Sequence, residues 1–296
     1  MSSRTERVPL DGLIVVDKPT GLSSAAVVER VRARLGVKRA GHTGTLDPAA
    51  TGVLPICLGA ATKLAGYLIA EDKAYRTTLV LGVETDSYDG DGAVTARDEA
   101  AVAAVTRAAI DAAIARRIGP QLQEPPLYSA IKVGGRRMHA MARAGEPVER
   151  ALRPVTIHSI RVIDYAPPRL VLELACSKGT YVRSLAHDVG RDLGCGAHVG
   201  ALRRTFVDPF AGRAMATVEA VAEGCYELLP VDAGLGDLPA VQLDADATRR
   251  LRMGQPVDAA GEITGVCRVY ADDGRLAAIG ERAVDGTVRP LRVMVW

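Results

Sequence analysis

Aromatic residues are few. Two Phe, one Trp and eight Tyr supply 4% of the 296 residues. That scarcity argues against a single-strand nucleic-acid binder built on many stacking platforms, and it makes each tyrosine beside a motif noticeable. Cysteine is sparse and irregular: Cys57, Cys176, Cys195, Cys225 and Cys267 are odd in number, far apart and free of C-x-x-C spacing. This usage fits a reducing cytosol and excludes a disulfide framework or a zinc site made of paired cysteines. Cys195 and His198 stand close, yet a lone Cys/His pair has no other obvious local ligand, so no metal is expected there. No apolar run reaches the ~18 residues that span a bilayer. Met1–Arg7 lacks the apolar core of a secretion signal. A cytoplasmic protein without membrane contact is the expectation.

The net charge, +2, is also small, so what matters is where the charge sits. Arg30, Arg32, Arg34, Lys38 and Arg39 form one basic run. Lys132, Arg136, Arg137 and Arg143 form a second, extended by Arg150 and Arg153, and Arg203 with Arg204 a third. One such run is ordinarily a solvated face. Several of them beside candidate active-site loops fit a phosphate-binding surface better.

The pattern along the chain is mixed α and β. Leu13–Val16 reads as a short buried strand, and Ser23/Ser24 can cap a helix through Val27, Val28, Val31 and Leu35 that Gly36 ends. Tyr75–Leu81 reads as a strand stopped by Gly82, and the Asp/Ser/Gly-rich stretch 86–92 as a polar turn. Thr95 with Asp98 reads as a capping box for one Ala-rich helix carrying Val102, Val105, Ile110, Ile114 and Ile118. Leu170, Leu172 and Leu174 share one face of a strand, and Lys178-Gly179-Thr180 turns into the next helix. From Gln123 to Pro154 the chain is rich in Gly, Arg and Met with little apolar surface, as in a mobile surface loop. A Gly/Asp/Pro-rich linker then precedes a C-terminal stretch with one helix, about Ala245–Met253, and short strands joined at Asp272-Asp273-Gly274 and Asp285-Gly286.

The stretch with most chemical content is Gly41-His42-Thr43-Gly44-Thr45-Leu46-Asp47-Pro48, continued by Ala49-Ala50-Thr51-Gly52. It puts one carboxylate beside an imidazole and several hydroxyls on a glycine-punctuated loop. Gly41, Gly44 and Gly52 permit backbone geometries that side chains forbid, and Pro48 biases Asp47 away from helix. On residue types alone Asp47-Pro48 could equally be an ordinary turn. The whole string, however, resembles the catalytic motif of the TruB-type tRNA pseudouridine synthases. Other segments resemble that family's motifs in the same order: Asp17-Lys18-Pro19-Thr20-Gly21-Leu22-Ser23-Ser24, Lys73-Ala74-Tyr75-Arg76, Cys176-Ser177-Lys178-Gly179-Thr180-Tyr181-Val182-Arg183, Leu193–His198 and Gly200-Ala201-Leu202-Arg203-Arg204.

The resemblance implies an α+β fold. Its parts would be a pseudouridine synthase catalytic domain over 1–230 with a mixed, mainly antiparallel sheet and flanking helices, a thumb insertion at 123–154, a linker at 231–240 and a PUA-like β-barrel over 241–296. It implies Asp47 as the catalytic carboxylate, Arg183 as its charge partner, and Tyr75 as the residue that stacks on the uracil or assists removal of the C5 proton. His42 would fill the space left by a flipped base. Tyr181 and Leu202 would line the uracil pocket, and Lys18 would shape the site or touch RNA. Lys132, Arg136, Arg137, Arg143, Arg203 and Arg204 would meet RNA. The implied substrate is the T arm of tRNA at uridine 55, and the implied enzyme a bacterial, stand-alone monomer without cofactor or obligate protein partner. Two alternatives share features with it: a guide-RNA-dependent box H/ACA-type synthase, which lacks the thumb, and a tRNA-folding protein without catalysis. A nucleotidyltransferase phosphate loop is disfavoured, because Thr45 follows Gly44 where a second histidine would be needed.

Overall fold

The computed structural model describes residues 10–68 and 72–294, apart from the His139 side chain. Met1–Arg7, the stretch without a secretion-signal core, lies outside the described residues. The chain divides into two units, one made of the described residues of 1–48, 53–70 and 209–296, the other of those of 49–52 and 71–208.

In the first unit, strand β1 (Gly12–Lys18) leads into helix α1 (Ser24–Leu35), followed by β2 (Ala40–His42) and β3 (Thr51–Leu58). The helix begins where Ser23, in extended conformation, accepts a hydrogen bond from Ala26 N. It ends where Gly36 takes φ 64°, a left-handed turn that glycine enters without cost. Val27, Val28 and Val31 recur at helical spacing and pack on Ile14 and Val16 of β1 and on Leu54, Ile56 and Leu58 of β3. β2 pairs antiparallel with β3, His42 opposite Ile56.

The second unit runs from β4 (Asp72–Leu81) through β5 (Val83–Thr85) and β6 (Val94–Arg97) to helices α2 (Glu99–Val102) and α3 (Arg107–Ala115), then β7 (Gly119–Gln123). Next come β8 (Lys132–Val133), β9 (Arg136–Arg137), α4 (Met138–Arg143), β10 (Arg153–Ala166), β11 (Arg169–Ser177), α5 (Val182–Asp192) and β12 (Ala197–Val207). Its strands lie in the order β12–β4–β11–β10–β7. β12 also takes the first residues of β3 in parallel, Arg203 opposite Thr51 and Arg204 opposite Gly52. Strand β11 alternates as expected, with Leu170, Leu172, Leu174 and Cys176 buried. The amphipathic α5 packs Leu185, Ala186 and Val189 inward against β12.

One expectation needs correction here. Thr95 does not cap a helix: it lies in β6, which pairs with β5. Asp98 caps the short α2 and Thr106 caps α3, accepting from Ala101 N and Ala109 N respectively. One Ala-rich helix is thus two, because Thr106 offers its side chain to a new first turn. The segment 123–154 carries short elements of its own. β8 and β9 form a hairpin across Gly134-Gly135, both at positive φ, and the α4 side chain Met138 is buried.

The first unit resumes with α6 (Val218–Ala222), β13 (Ala240–Gln242), α7 (Ala245–Arg252), β14 (Val257–Asp258), β15 (Gly265–Tyr270), β16 (Leu276–Arg282) and β17 (Thr287–Val293). Val218 and Val221 of α6 join the core under α1. The last five strands lie in the order β13–β15–β16–β17–β14. Val241, Leu251, Cys267, Val269, Ala278 and Val288 give them a core of their own. The hairpin turns fall at Asp272–Gly274 and Asp285-Gly286, as the turn residues predict.

Gly52 fixes the register between β3 and β12. It sits at φ 103°, and a Cβ there would lie 2.1 Å from the Arg204 carbonyl oxygen. Gly52→Ala is therefore expected to cost at least ~2 kcal/mol, combining left-handed strain with disruption of this close approach. Thermal melting should show a fall of several degrees, of the order of 2–4 °C per kcal/mol for a chain this long, and an unchanged melting temperature would contradict the assignment.

Candidate active site

In the first unit, the residues around Asp47 have no regular structure of their own, so side chains from the preceding motif must hold them. Ser24, fully enclosed at the start of α1, does this with both functions of one hydroxyl. Its Oγ accepts from Leu46 N at 2.8 Å and donates to Leu46 O at 2.9 Å. On the far side of Asp47, Pro48 O accepts from Lys18 Nζ at 3.1 Å and from Gly21 N at 2.8 Å. Lys18 is fully buried and also donates to Pro19 O at 3.0 Å. Asp47, half-buried, is thus bracketed by fixed peptides on both sides, with Leu46 buried beneath. Of the two roles implied for Lys18, shaping the loop is the one these bonds support. The paired serines divide their work: Ser23 caps the helix and Ser24 clamps the loop. His42, half-buried, ends β2, and Thr43 N continues the attachment by donating to Pro55 O.

In the second unit, Tyr75 of β4 is buried, opposite Leu174 of β11 and Arg204 of β12. Arg204 hydrogen-bonds the Tyr75 side chain. Only 1% of Arg204 is exposed, and burial lowers its pKa while the contact with Tyr75 raises it. A guanidinium nonetheless keeps its proton. Arg203 and Arg204 look like one basic cluster in the sequence. On a strand, adjacent side chains leave by opposite faces, so Arg203 stays half-exposed while Arg204 turns inward. The Arg204 side chain is therefore a buried support for Tyr75 and not part of a phosphate-facing surface. Leu202, half-buried, lies opposite Thr77.

Arg183, buried in the first turn of α5, is enclosed by a cage of acceptors. Nη1 donates to Ser87 O at 3.0 Å and lies 3.3 Å from Asp89 Oδ2, while Nη2 donates to Tyr128 O at 2.9 Å. Asp89 is itself oriented, its Oδ1 accepting from Ser87 Oγ at 2.6 Å and from Asp91 N at 3.2 Å. Asp89 carries no distinguishing signal in the sequence, where 86–92 reads only as a polar turn, more than ninety residues before Arg183. Tyr181, half-buried just before α5, has its backbone held by the buried Gln123 side chain, which accepts from Tyr181 N at 2.8 Å and donates to Tyr181 O at 3.1 Å.

The insertion exposes Lys132, Arg137 and Arg143. Arg136 is also exposed but forms a two-pronged ion pair with Glu146, at 2.7 and 2.9 Å. Such an exposed pair is worth little and is readily exchanged for another anion. Cys195 and His198, close enough in sequence to suggest a metal pair, turn to the backbone: Cys195 Sγ bonds Gly196 O and His198 Nδ1 lies 2.8 Å from Val83 O. Among the described residues no helix is long and apolar enough to cross a membrane.

The arrangement has the fold of a pseudouridine synthase. A chain in the crystal structure of the archaeal box H/ACA sRNP Nop10-Cbf5 complex superposes with a TM-score of 0.70 at 21% identity, covering 98% of this chain and 89% of that one. A structure of an H/ACA RNP bound to a substrate RNA containing 2'-deoxyuridine gives 0.70 at 22% identity, covering 100% and 93%. Residues 32–182 match the TruB family pseudouridylate synthase N-terminal domain. Residues 183–235 match the tRNA pseudouridylate synthase B C-terminal domain, and 239–294 the C-terminal domain of pseudouridine synthase II TruB. The tRNA pseudouridine synthase B of Xanthomonas campestris pv. campestris (strain B100) is 45% identical over 292 residues, 96% of this chain and 94% of that protein. That of Aromatoleum aromaticum (strain DSM 19018 / LMG 30748 / EbN1) is 45% identical over 296 residues, covering 98% and 95%. The chain belongs to the TruB family of pseudouridine synthases.

The clamp and the cap can be separated by mutation. Ser23→Ala should cost ~1 kcal/mol, the value of an N-cap. Ser24→Ala leaves a buried peptide N–H and C=O without their partner, at ~1–3 kcal/mol for each group. The larger loss of pseudouridine formation, measured on protein shown to be folded, should come from Ser24→Ala; equal activities in the two variants would show that the clamp does not position Asp47.

Proposed function

We propose that this protein converts the uridine at position 55 in the T loop of tRNA to pseudouridine, acting as a stand-alone monomer. The observation that carries the reading is the Asp47 loop, pinned on both flanks by Ser24, Lys18 and Gly21. Membership of the TruB family and the tRNA substrate in the names of the similar proteins support it. The 123–154 insertion favours a stand-alone enzyme over a guide-RNA-dependent one, since its basic hairpin offers a surface for the RNA backbone.

The reaction breaks the N1–C1′ bond, turns the uracil and forms a C5–C1′ bond; C5 loses a proton and N1 gains one. Nothing is oxidised and no group leaves, so the balance requires neither a redox partner nor an energy donor. One ionised carboxylate suffices, attacking the nucleotide covalently or taking a ribose proton as the base departs. Asp47 is that carboxylate. Arg183 supplies the compensating positive charge, and Tyr75, with its hydroxyl tied to Arg204, meets the uracil ring. The base must leave the folded loop first, at a cost of a few kcal/mol offset by contacts to the extruded nucleotide. His42 takes the vacated space, Tyr181 and Leu202 line the pocket, and the C-terminal sheet adds RNA contacts in the manner of a PUA module.

The test is incubation with an unmodified tRNA transcript followed by base-resolved pseudouridine mapping. Modification confined to position 55 is expected, and its absence there would reject the assignment. Asp47→Asn should abolish turnover and change tRNA affinity by less than about threefold, because phosphate contacts elsewhere dominate binding. Appreciable turnover by verified, uncontaminated Asp47→Asn protein would remove Asp47 from the mechanism.

Arg136→Ala with Arg137→Ala should weaken tRNA binding and flatten its dependence on log salt by up to about one unit of slope for each phosphate that is no longer neutralised. Turnover at saturating tRNA should fall less than affinity. An unchanged affinity and slope in a binding titration across salt concentrations would remove this pair from the RNA surface.

A further inference from the structure

Tyr88, in the middle of the turn that holds Arg183, is given no part in the chemistry above. Its backbone has φ 63°, and among the described residues it is the only one besides glycine at positive φ. A bulky side chain occupies that region only where its surroundings over-determine it, and such residues gather at functional sites. The surroundings of Tyr88 are specific. Its ring stacks on the imidazole of His187, centroids 4.1 Å apart and planes 11° from parallel. His187 stands four residues, one helical turn, along α5 from Arg183. Burial holds the His187 imidazole below its ordinary pKa, so near neutral pH two uncharged rings face each other. The Tyr88 hydroxyl accepts from Arg150 Nη1 at 3.2 Å, and Arg150 Nη2 lies 2.6 Å from Glu124. Tyr88 O accepts from Val199 N of β12 at 3.0 Å. The residues on either side of Tyr88 both meet Arg183: Ser87 through its carbonyl and Asp89 through its carboxylate.

We propose that Tyr88 is a positioning residue for Arg183: its ring, stacked on His187 and held at its edge by Arg150, keeps the turn in the left-handed conformation that aims Ser87 O and Asp89 at the guanidinium. Helix α5 carries both Arg183 and the His187 ring on which Tyr88 stacks, so the donor and the anchor of the turn that supplies its acceptors share one rigid element. This rests on the reading that Arg183 serves the reaction. Tyr128, whose carbonyl also meets Arg183, reaches the same turn through its hydroxyl on Asp86 Oδ2 at 3.3 Å, so the turn has a second attachment and should survive removal of the Tyr88 ring as a fold while losing its aim.

Tyr88→Gly removes the ring and suits the left-handed backbone, and Tyr88→Asn is a second ring-less variant that tolerates it. Both are compared with Tyr88→Phe in single-turnover assays on an unmodified tRNA transcript, in the natural and the Arg183→Lys backgrounds, with melting curves to certify folding. Tyr88→Gly and Tyr88→Asn should each lower the rate at saturating RNA by about tenfold or more while Kd moves less than about twofold. Tyr88→Phe, which keeps the stack, should retain the rate within about threefold. In the Arg183→Lys background, Tyr88→Gly should cost less than about threefold, because the two act as a unit. Unchanged rates in both ring-less variants, a loss located in Kd, a Phe variant as impaired as Gly, or a full loss persisting beside Arg183→Lys would each overturn the proposal. Arg183→Lys at the natural rate would instead overturn the role given to Arg183 itself.

Discussion

The hydroxyl of Ser24, bonded both ways to the peptide of Leu46, is the contact on which the Asp47 loop depends. A loop without helix or sheet bonding must have its peptide groups satisfied by something else. Here the donors and acceptor come from one short motif: Lys18 at the end of β1, Gly21 in the turn and Ser24 at the start of α1. Lys18 is fully buried, and the carbonyl oxygens of Pro19 and Pro48 both accept from its ammonium, which offsets part of the cost of taking it out of water. The strand, turn and helix that present these three groups are built by the valine-rich core of the first unit. The position of Asp47 is thus a consequence of that core.

The second unit solves a related problem for a cation. Arg183 is buried, and the acceptors for its Nη1 and Nη2 come from distant stretches of chain: the 86–92 turn and the start of the insertion. Two neutral carbonyls and the Asp89 carboxylate orient the guanidinium. Arg204 differs in kind, since its neighbour is the Tyr75 phenol and its service is to fix the ring.

Sequence patterns that report on neighbouring residues were legible. The cap and stop of α1, the alternation in β11 and the turns of the C-terminal hairpins all depend on side chains within a few positions of one another. The Thr95–Asp98 reading failed for a local reason as well: two spaced threonines could each begin a helix, and pairing of β6 with β5 decided against the first. Strand β12 was not legible as a strand. Its arginines resemble a surface cluster until the pairing with β4 alternates them between faces.

By itself the sequence determined the identity and order of the motifs, and with them the family, because the motif residues keep their chemistry whatever surrounds them. It also determined the local turns and caps, whose hydrogen bonds span only a few residues. Only the tertiary structure decided what each polar group serves: that Ser24 and not Ser23 holds the loop, that Arg204 is buried against Tyr75, and that Asp89 and Tyr88 attend Arg183. Those roles rest on contacts between residues tens of positions apart, and a hydrogen bond across such a separation follows from packing and strand register, which no short window of sequence contains.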